Sequence, residues 1–384
     1  MQRLAPALTG YCILAMMSHG ASAADADADV VTTKPTAPSL GDVLDSSGVQ
    51  VHGYLDTAYS YLSGDGVFTS GVNDRVFDTE PSSFNLHQAA LTIGYQPKEG
   101  FGGLVNVSAG RDARIIKSVG DTTESFDVTQ AFVQYASGAL TLIGGKYVTL
   151  AGAEVINSTA DFNYSRSILF GYAIPFAHTG IRATYAASDT LSLILGVNNG
   201  WDQLKDQNRQ KTLEVGVGYT PSRQFTLSAQ GYSGIEQVYG VVGGMSGNRN
   251  LVDVVGTYNA TDRLTLILNY DYGTQDNVTS LVNGSTIKAS WSGTAAYLNF
   301  QANDLWRISL RGEYFDDSDG YKTGVIHKWK EATLTFAYLP AKAIEVRAEI
   351  RTDSSDASSF VKDLNSGSIQ KDQYSLGLEA IFRF

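Results

Sequence analysis

Four arginines near the carboxyl end, Arg307, Arg311, Arg347 and Arg351, stand in two pairs spaced i, i+4. In an extended chain that spacing puts both members of a pair on one face. Glu313, Glu345 and Glu349 share the parity and interleave with them. Far upstream, the stretch 148–177 carries Glu154, Asp161 and Arg166, with Lys146, His178 and Arg182 flanking it. Fixed charges of both signs are the chemistry these residues offer. Base on a wall and acid on a facing segment, across a water gap, set up a transverse field that orients dipolar solutes and sorts ions. The interleaved glutamates partly cancel the basic ladder, so the expected selectivity is modest. The acidic total tilts it toward cations.

Other chemistries find little support. After an amino-terminal leader is set aside, the histidines are His52, His87, His178 and His327, each without the close partners of a metal site. His52 and His178 read as ordinary polar residues of a wetted face. No segment places a serine and a histidine where a hydrolase would need them. The glycine-rich stretches precede no helix, so they are not phosphate loops. No cofactor and no enzymatic activity are expected. The formal charge of −11 becomes −12 once Arg3 leaves with the leader, the opposite of what nucleic acid binding requires.

What must position the charged residues is legible in the periodicity. Residues 1–23 read as a cleaved signal peptide: Arg3, then an apolar run from Leu4 to Met17, then Ala21-Ser22-Ala23. Cys12, the single cysteine, lies inside it. Residues 24–47, with "ADADAD" followed by Thr and Pro, read as a flexible acidic linker. From 48 to 384 alternating segments of about ten residues run to the final position, joined by connectors that are short, then long, then short. Leu191, Leu193, Leu195 and Val197 form one apolar parity; Ile344, Val346, Ala348 and Ile350 form another. The longer connectors fall near 62–83, 112–124, 148–177, 201–210, 236–250, 273–290, 316–328 and 353–371.

The strands entering the short connectors end on an aromatic of the apolar parity: Tyr95, Tyr135, Tyr185, Tyr219, Tyr258, Phe300 and Tyr338, and the chain itself ends on Phe384. Rings with an apolar body and a wet rim prefer a membrane–water interface, so eight at one level read as a girdle. Tyr59, Tyr61, Tyr147, Tyr270, Tyr272 and Tyr314 are expected at the opposite level. The fold class is therefore all-β: a transmembrane antiparallel up-and-down barrel of about sixteen strands with short periplasmic turns and longer extracellular loops. A barrel of that size encloses water when its inner parity is as polar as this one. That argues for a pore through the outer membrane, contacted by lipids outside and by small hydrophilic solutes and ions inside. The connector 148–177 is too apolar for an exposed loop, with Ile156, Ile168, Phe170 and Phe176, so it is expected to fold inward and narrow the channel.

One stretch is more distinctive: "GGKYVTLAGAEVINSTADFNYSRSILFGYAIPFAHTGIRATY", followed after a hairpin by "GVNNGWD". Its Gly145-Lys146-Tyr147, Gly152-Ala153-Glu154, Asn163-Tyr164-Ser165-Arg166-Ser167, Pro175, His178 and Asn199-Gly200-Trp201-Asp202 resemble the OmpL-like β-barrel porin family of Gram-negative outer membranes. The resemblance implies passive transport and names no solute. A homotrimer is expected by analogy with barrels of this size. An adhesin or receptor using its loops is the alternative, and ion conductance separates the two.

Overall fold

The computed structural model describes residues 44, 46–64, 75–80, 82–237 and 246–384. The expected signal peptide and nearly all of the acidic linker lie outside the described residues. Sixteen antiparallel strands close into one barrel. In chain order they are β1 (Gln50–Leu62), β2 (Ser83–Tyr95), β3 (Gly100–Ala109), β4 (Phe126–Ser137), β5 (Leu140–Val148), β6 (Ala177–Ala186), β7 (Leu191–Asn198) and β8 (Thr212–Tyr219). Then follow β9 (Phe225–Glu236), β10 (Gly247–Thr261), β11 (Leu264–Thr279), β12 (Thr286–Asn303), β13 (Trp306–Asp317), β14 (His327–Ala341), β15 (Ile344–Ser355) and, last in the barrel, β18 (Asp372–Arg383). Each pairs with its sequence neighbour around the ring, and β18 pairs with both β15 and β1.

The alternation sorts side chains in the reverse of a soluble core. Leu195, Ile181, Val133 and Leu378 lie exposed on the outer face, whereas Arg347 and Arg351 are among the most deeply buried large side chains. Apolar-out, polar-in is stable only where the outer solvent is hydrocarbon, and closure is then obligatory because an open edge would strand backbone groups in lipid. The last residue takes part in that closure. Phe384 N–H donates to the Gly53 carbonyl and Gly53 N–H donates back to the Phe384 carbonyl, both at 2.9 Å. Register continues as Leu55 opposite Phe382 and Tyr59 opposite Leu378. All eight rings at the short-turn end are exposed on the outer surface, from 37% for Tyr338 to 61% for Phe384.

Three expectations need correction. Tyr147 does not join the opposite girdle: it is 1% exposed and faces inward. Gly145 sits at φ +141 and its missing side chain would lie 2.2 Å from the Ala131 carbonyl oxygen, so the strand twists there and turns both Lys146 and Tyr147 inside. The 273–290 connector is mostly strand, with Val278 opposite Ile287, because buried Val278 and Ala289 extend the apolar interior to that height. The 353–371 connector holds a small hairpin of its own, β16 (Phe360–Asp363) with β17 (Ser368–Gln370), anchored by the fully buried Phe360. One helical turn, α1 (Ala113–Ile116), lies in the connector after β3.

Candidate functional site

The 148–177 connector crosses the inside of the barrel. Its backbone contains one tight turn at Ser158–Ala160 and one wide helical turn at Leu169–Ala173. An inward loop must satisfy its polar backbone without bulk water, and the wall supplies the partners. Glu349 accepts from Tyr164 N–H (2.7 Å) and Ser165 N–H (3.0 Å). Glu313 accepts from Ile168 N–H (3.0 Å) and Leu169 N–H (3.2 Å). Asn269 accepts from Ala153 N–H at 3.0 Å, and the Trp291 indole donates to the Ala173 carbonyl at 3.1 Å. The apolar half of the loop packs into a cluster with the wall's Trp291, Phe315 and Trp329. Two wall glycines make room: a side chain at Gly377 would strike the Tyr164 ring at 2.4 Å, and one at Gly293 would strike Leu169 at 2.7 Å.

The arginine ladder holds this loop. Arg311 donates to Glu154 at 2.7 Å and to the Ser165 carbonyl at 2.6 Å. Arg347 donates to the Ser158, Asp161 and Asn163 carbonyls at 3.1, 2.7 and 3.2 Å. Arg351 donates to the Arg166 carbonyl at 2.7 Å while clamped by Asp353. Asp161 pairs with Arg166 of the same loop at 2.8 Å. The expected opposition of acid and base is thus direct contact between Glu154 and Arg311, rather than charges facing across water. Arg307 sits nearer the short-turn end, its guanidinium 5.0 Å from the centre of the Phe162 ring. Lys146, His178 and Arg182 belong to the wall beside the loop's root: Lys146 pairs with Asp127 (2.7 Å), Arg182 with Glu214 (2.7 Å), and His178 stacks on Tyr232 (4.9 Å between centroids).

Several participants carried no sequence signal of their own. From the first long connector, Phe77 stacks on Phe170 and packs edge-on against Phe176, and Arg75 pairs with Asp353 at 2.6 Å. His87 bridges Asp112 (3.0 Å) to the Tyr164 hydroxyl (3.1 Å), tying two connectors to β2. The Trp201-Asp202 motif secures the loop's exit, where Asp202 accepts from Phe176 N–H (2.7 Å) and Ala177 N–H (2.9 Å).

Above that exit, Lys322 of the connector between β13 and β14 holds its ammonium 5.3, 4.9 and 5.8 Å from the rings of Trp201, Trp291 and Tyr321. Burial and the neighbouring Arg249 push it down to about 7, against the pull of Asp317 and Asp202. A lysine depressed in the folded state penalises that state fully below about 7, and the penalty is relieved as pH rises from about 7 toward the unfolded value. Hydrogen exchange of the 318–326 amides is therefore expected to speed up as pH falls from 9 to 7, after correction for intrinsic rates. Lys322→Met should remove the change, and an identical profile in both proteins would refute it.

Among the described residues, no group of three or more His, Cys, Asp or Glu side chains could hold a metal ion. No curated protein sequence matches the chain. Solved structures do. The outer membrane channel DcaP of Acinetobacter baumannii aligns at a TM-score of 0.61 with 15% identity, over 88% of this chain and 97% of that one. Outer-membrane expressed OmpT of Vibrio cholerae aligns at 0.59 with 14% identity, over 88% and 97%. An anion-selective porin from Comamonas acidovorans aligns at 0.57 with 11% identity, over 88% and 99%. At such identities these likenesses show the fold, a porin barrel. The family model described as "Putative beta-barrel porin-2, OmpL-like" matches residues 48–384, which is the whole barrel, and the chain belongs to that family.

Proposed function

We propose that this porin lets small hydrophilic solutes and ions diffuse across the outer membrane past the 148–177 loop, which acts as its constriction. The observation that carries the reading is the inward seating of that loop on Arg311, Arg347 and Arg351. A loop serving as a binding surface for another cell would project outward, which disfavours the adhesin reading. The short turns face the periplasm and the ring of eight aromatics marks the inner interface with lipid. A cleaved leader delivers the chain there. A homotrimer is supported by one of the similar structures, OmpT of Vibrio cholerae, described in a trimer form. In a planar bilayer the purified, folded protein is expected to give stable single-channel steps in KCl. A folded protein that stays silent would sink the pore and leave the loops as the functional surface.

A further inference from the structure

At the short-turn end of the lumen, Glu345 is shared by three guanidiniums. Arg347 donates to it at 2.7 Å and Arg383 at 2.5 Å, and Arg307 closes on the same carboxylate. A further acid, Glu379, is engaged by Arg347 at 3.1 Å. Arg347 is thus drawn toward Glu379 and Asp56 as well, while Arg307 and Arg383 have Glu345 as their one carboxylate partner among the described residues. These two also differ from the rest of the ladder in access. Their side chains are 12% and 18% exposed, whereas those of Arg311, Arg347 and Arg351 are 0%, 0% and 2% exposed.

Their donors are underused. Among the described residues Arg307 bonds through Nη2 alone, and Arg383 bonds through Nη2 alone, to Glu345 and to the Thr159 carbonyl. The Nε–H of each has no partner. Each guanidinium is nonetheless held in place: Arg307 lies over the Phe162 ring, and Arg383 is tethered to the tip of the inward loop. Those Nε–H groups are buried, so what each guanidinium presents to the lumen is its Nη edge, and charged N–H donors of that kind suit the oxygens of a carboxylate or a phosphate. We infer that Arg307 and Arg383 form an anion-binding subsite at the periplasmic floor of the constriction, selective for small solutes bearing a carboxylate or phosphate group. Residence there retains anions in a channel whose sequence is acidic overall. The inference rests on the pore reading for its setting, but binding itself does not require conduction.

The probe is inorganic phosphate. Added to the short-turn side of a KCl-conducting channel, it should produce brief concentration-dependent interruptions, and folded protein in detergent should bind it in calorimetry. Arg307→Gln with Arg383→Gln should weaken both readouts by about a hundredfold or more, since losing each charged hydrogen-bond donor costs about tenfold or more. Arg307→Lys with Arg383→Lys should bind between parent and glutamine variant, because the charge stays and the fork is lost. A parent that conducts but shows the same block and the same heat as the glutamine variant overturns the subsite and leaves the pore standing. A silent parent that still binds phosphate through these arginines supports the subsite and overturns the pore. Should the glutamine pair misfold, the single Arg383→Gln variant carries the comparison, since Arg307 then keeps Glu345 paired.

Discussion

Deleting residues 154–163 and bridging the gap with two glycines should raise the single-channel conductance of this porin roughly twofold or more, since the narrowest section of a water-filled path dominates its resistance. The barrel should survive. Its wall is held by a closed ladder of strand pairs that the loop does not enter. The groups that lose their partners, Arg311 and Arg347 foremost, then face a wider aqueous lumen and are hydrated rather than stranded in a dry interior. Their release should also make the ladder available to permeating ions. The reversal potential in a KCl gradient should therefore move toward anions, because Glu154 and Asp161 leave with the loop while the wall arginines stay. Conductance equal to the parent's, with the variant shown to be folded by its heat-dependent gel mobility, would mean that the narrow section lies elsewhere.

How much of this was legible beforehand depends on the length scale of the signal. Alternation is local, so the strands, the outward aromatics and the closure through Phe384 could be read from neighbours two apart. The inward loop could be read too, because Ile156, Ile168, Phe170 and Phe176 are too apolar to face water. What escaped were partnerships between segments far apart in the chain. Glu313 and Glu349 looked like charges that cancel arginines, yet both accept from backbone N–H groups of the loop, Glu313 while also lying 3.3 Å from Arg311. A carboxylate gives no hint in sequence of whether it meets a guanidinium or an amide. Tyr147 shows the other limit: a single glycine in the left-handed region shifts the parity of the residues after it, and counting by twos then assigns the wrong face. Gly377 and Gly293 were silent because the volume each leaves empty is defined by a loop residue from another part of the chain.

Arg311→Met should be the most damaging single substitution in the lumen. The side chain is fully buried, and it lies within 2.7 Å of Glu154, 3.2 Å of Glu331 and 3.3 Å of Glu313. Methionine fills a similar volume but takes the shared cation from three carboxylates at close quarters, of which Glu331 keeps only the longer 3.8 Å pairing with Arg351. Breaking a buried ion pair from one side typically costs about 3–5 kcal/mol, because the surviving charge is neither hydrated nor paired. Arg311→Lys should recover little, since one ammonium cannot reach Glu154, the Ser165 carbonyl and hydroxyl, and Glu331 together. The loss should fall on the loop's seating more than on the wall, and two variants separate these contributions. Adding Glu154→Gln removes one of the stranded charges and should return part of the lost thermal stability. In the 154–163 deletion, where Glu154 is gone and water enters, Arg311→Met should cost much less than in the full chain. Current recordings give an independent readout: a loosened loop should flicker in the full-length Arg311→Met channel and not in the deleted one. Equal destabilisation in the two backgrounds would place the arginine's role in the wall alone and detach it from the constriction.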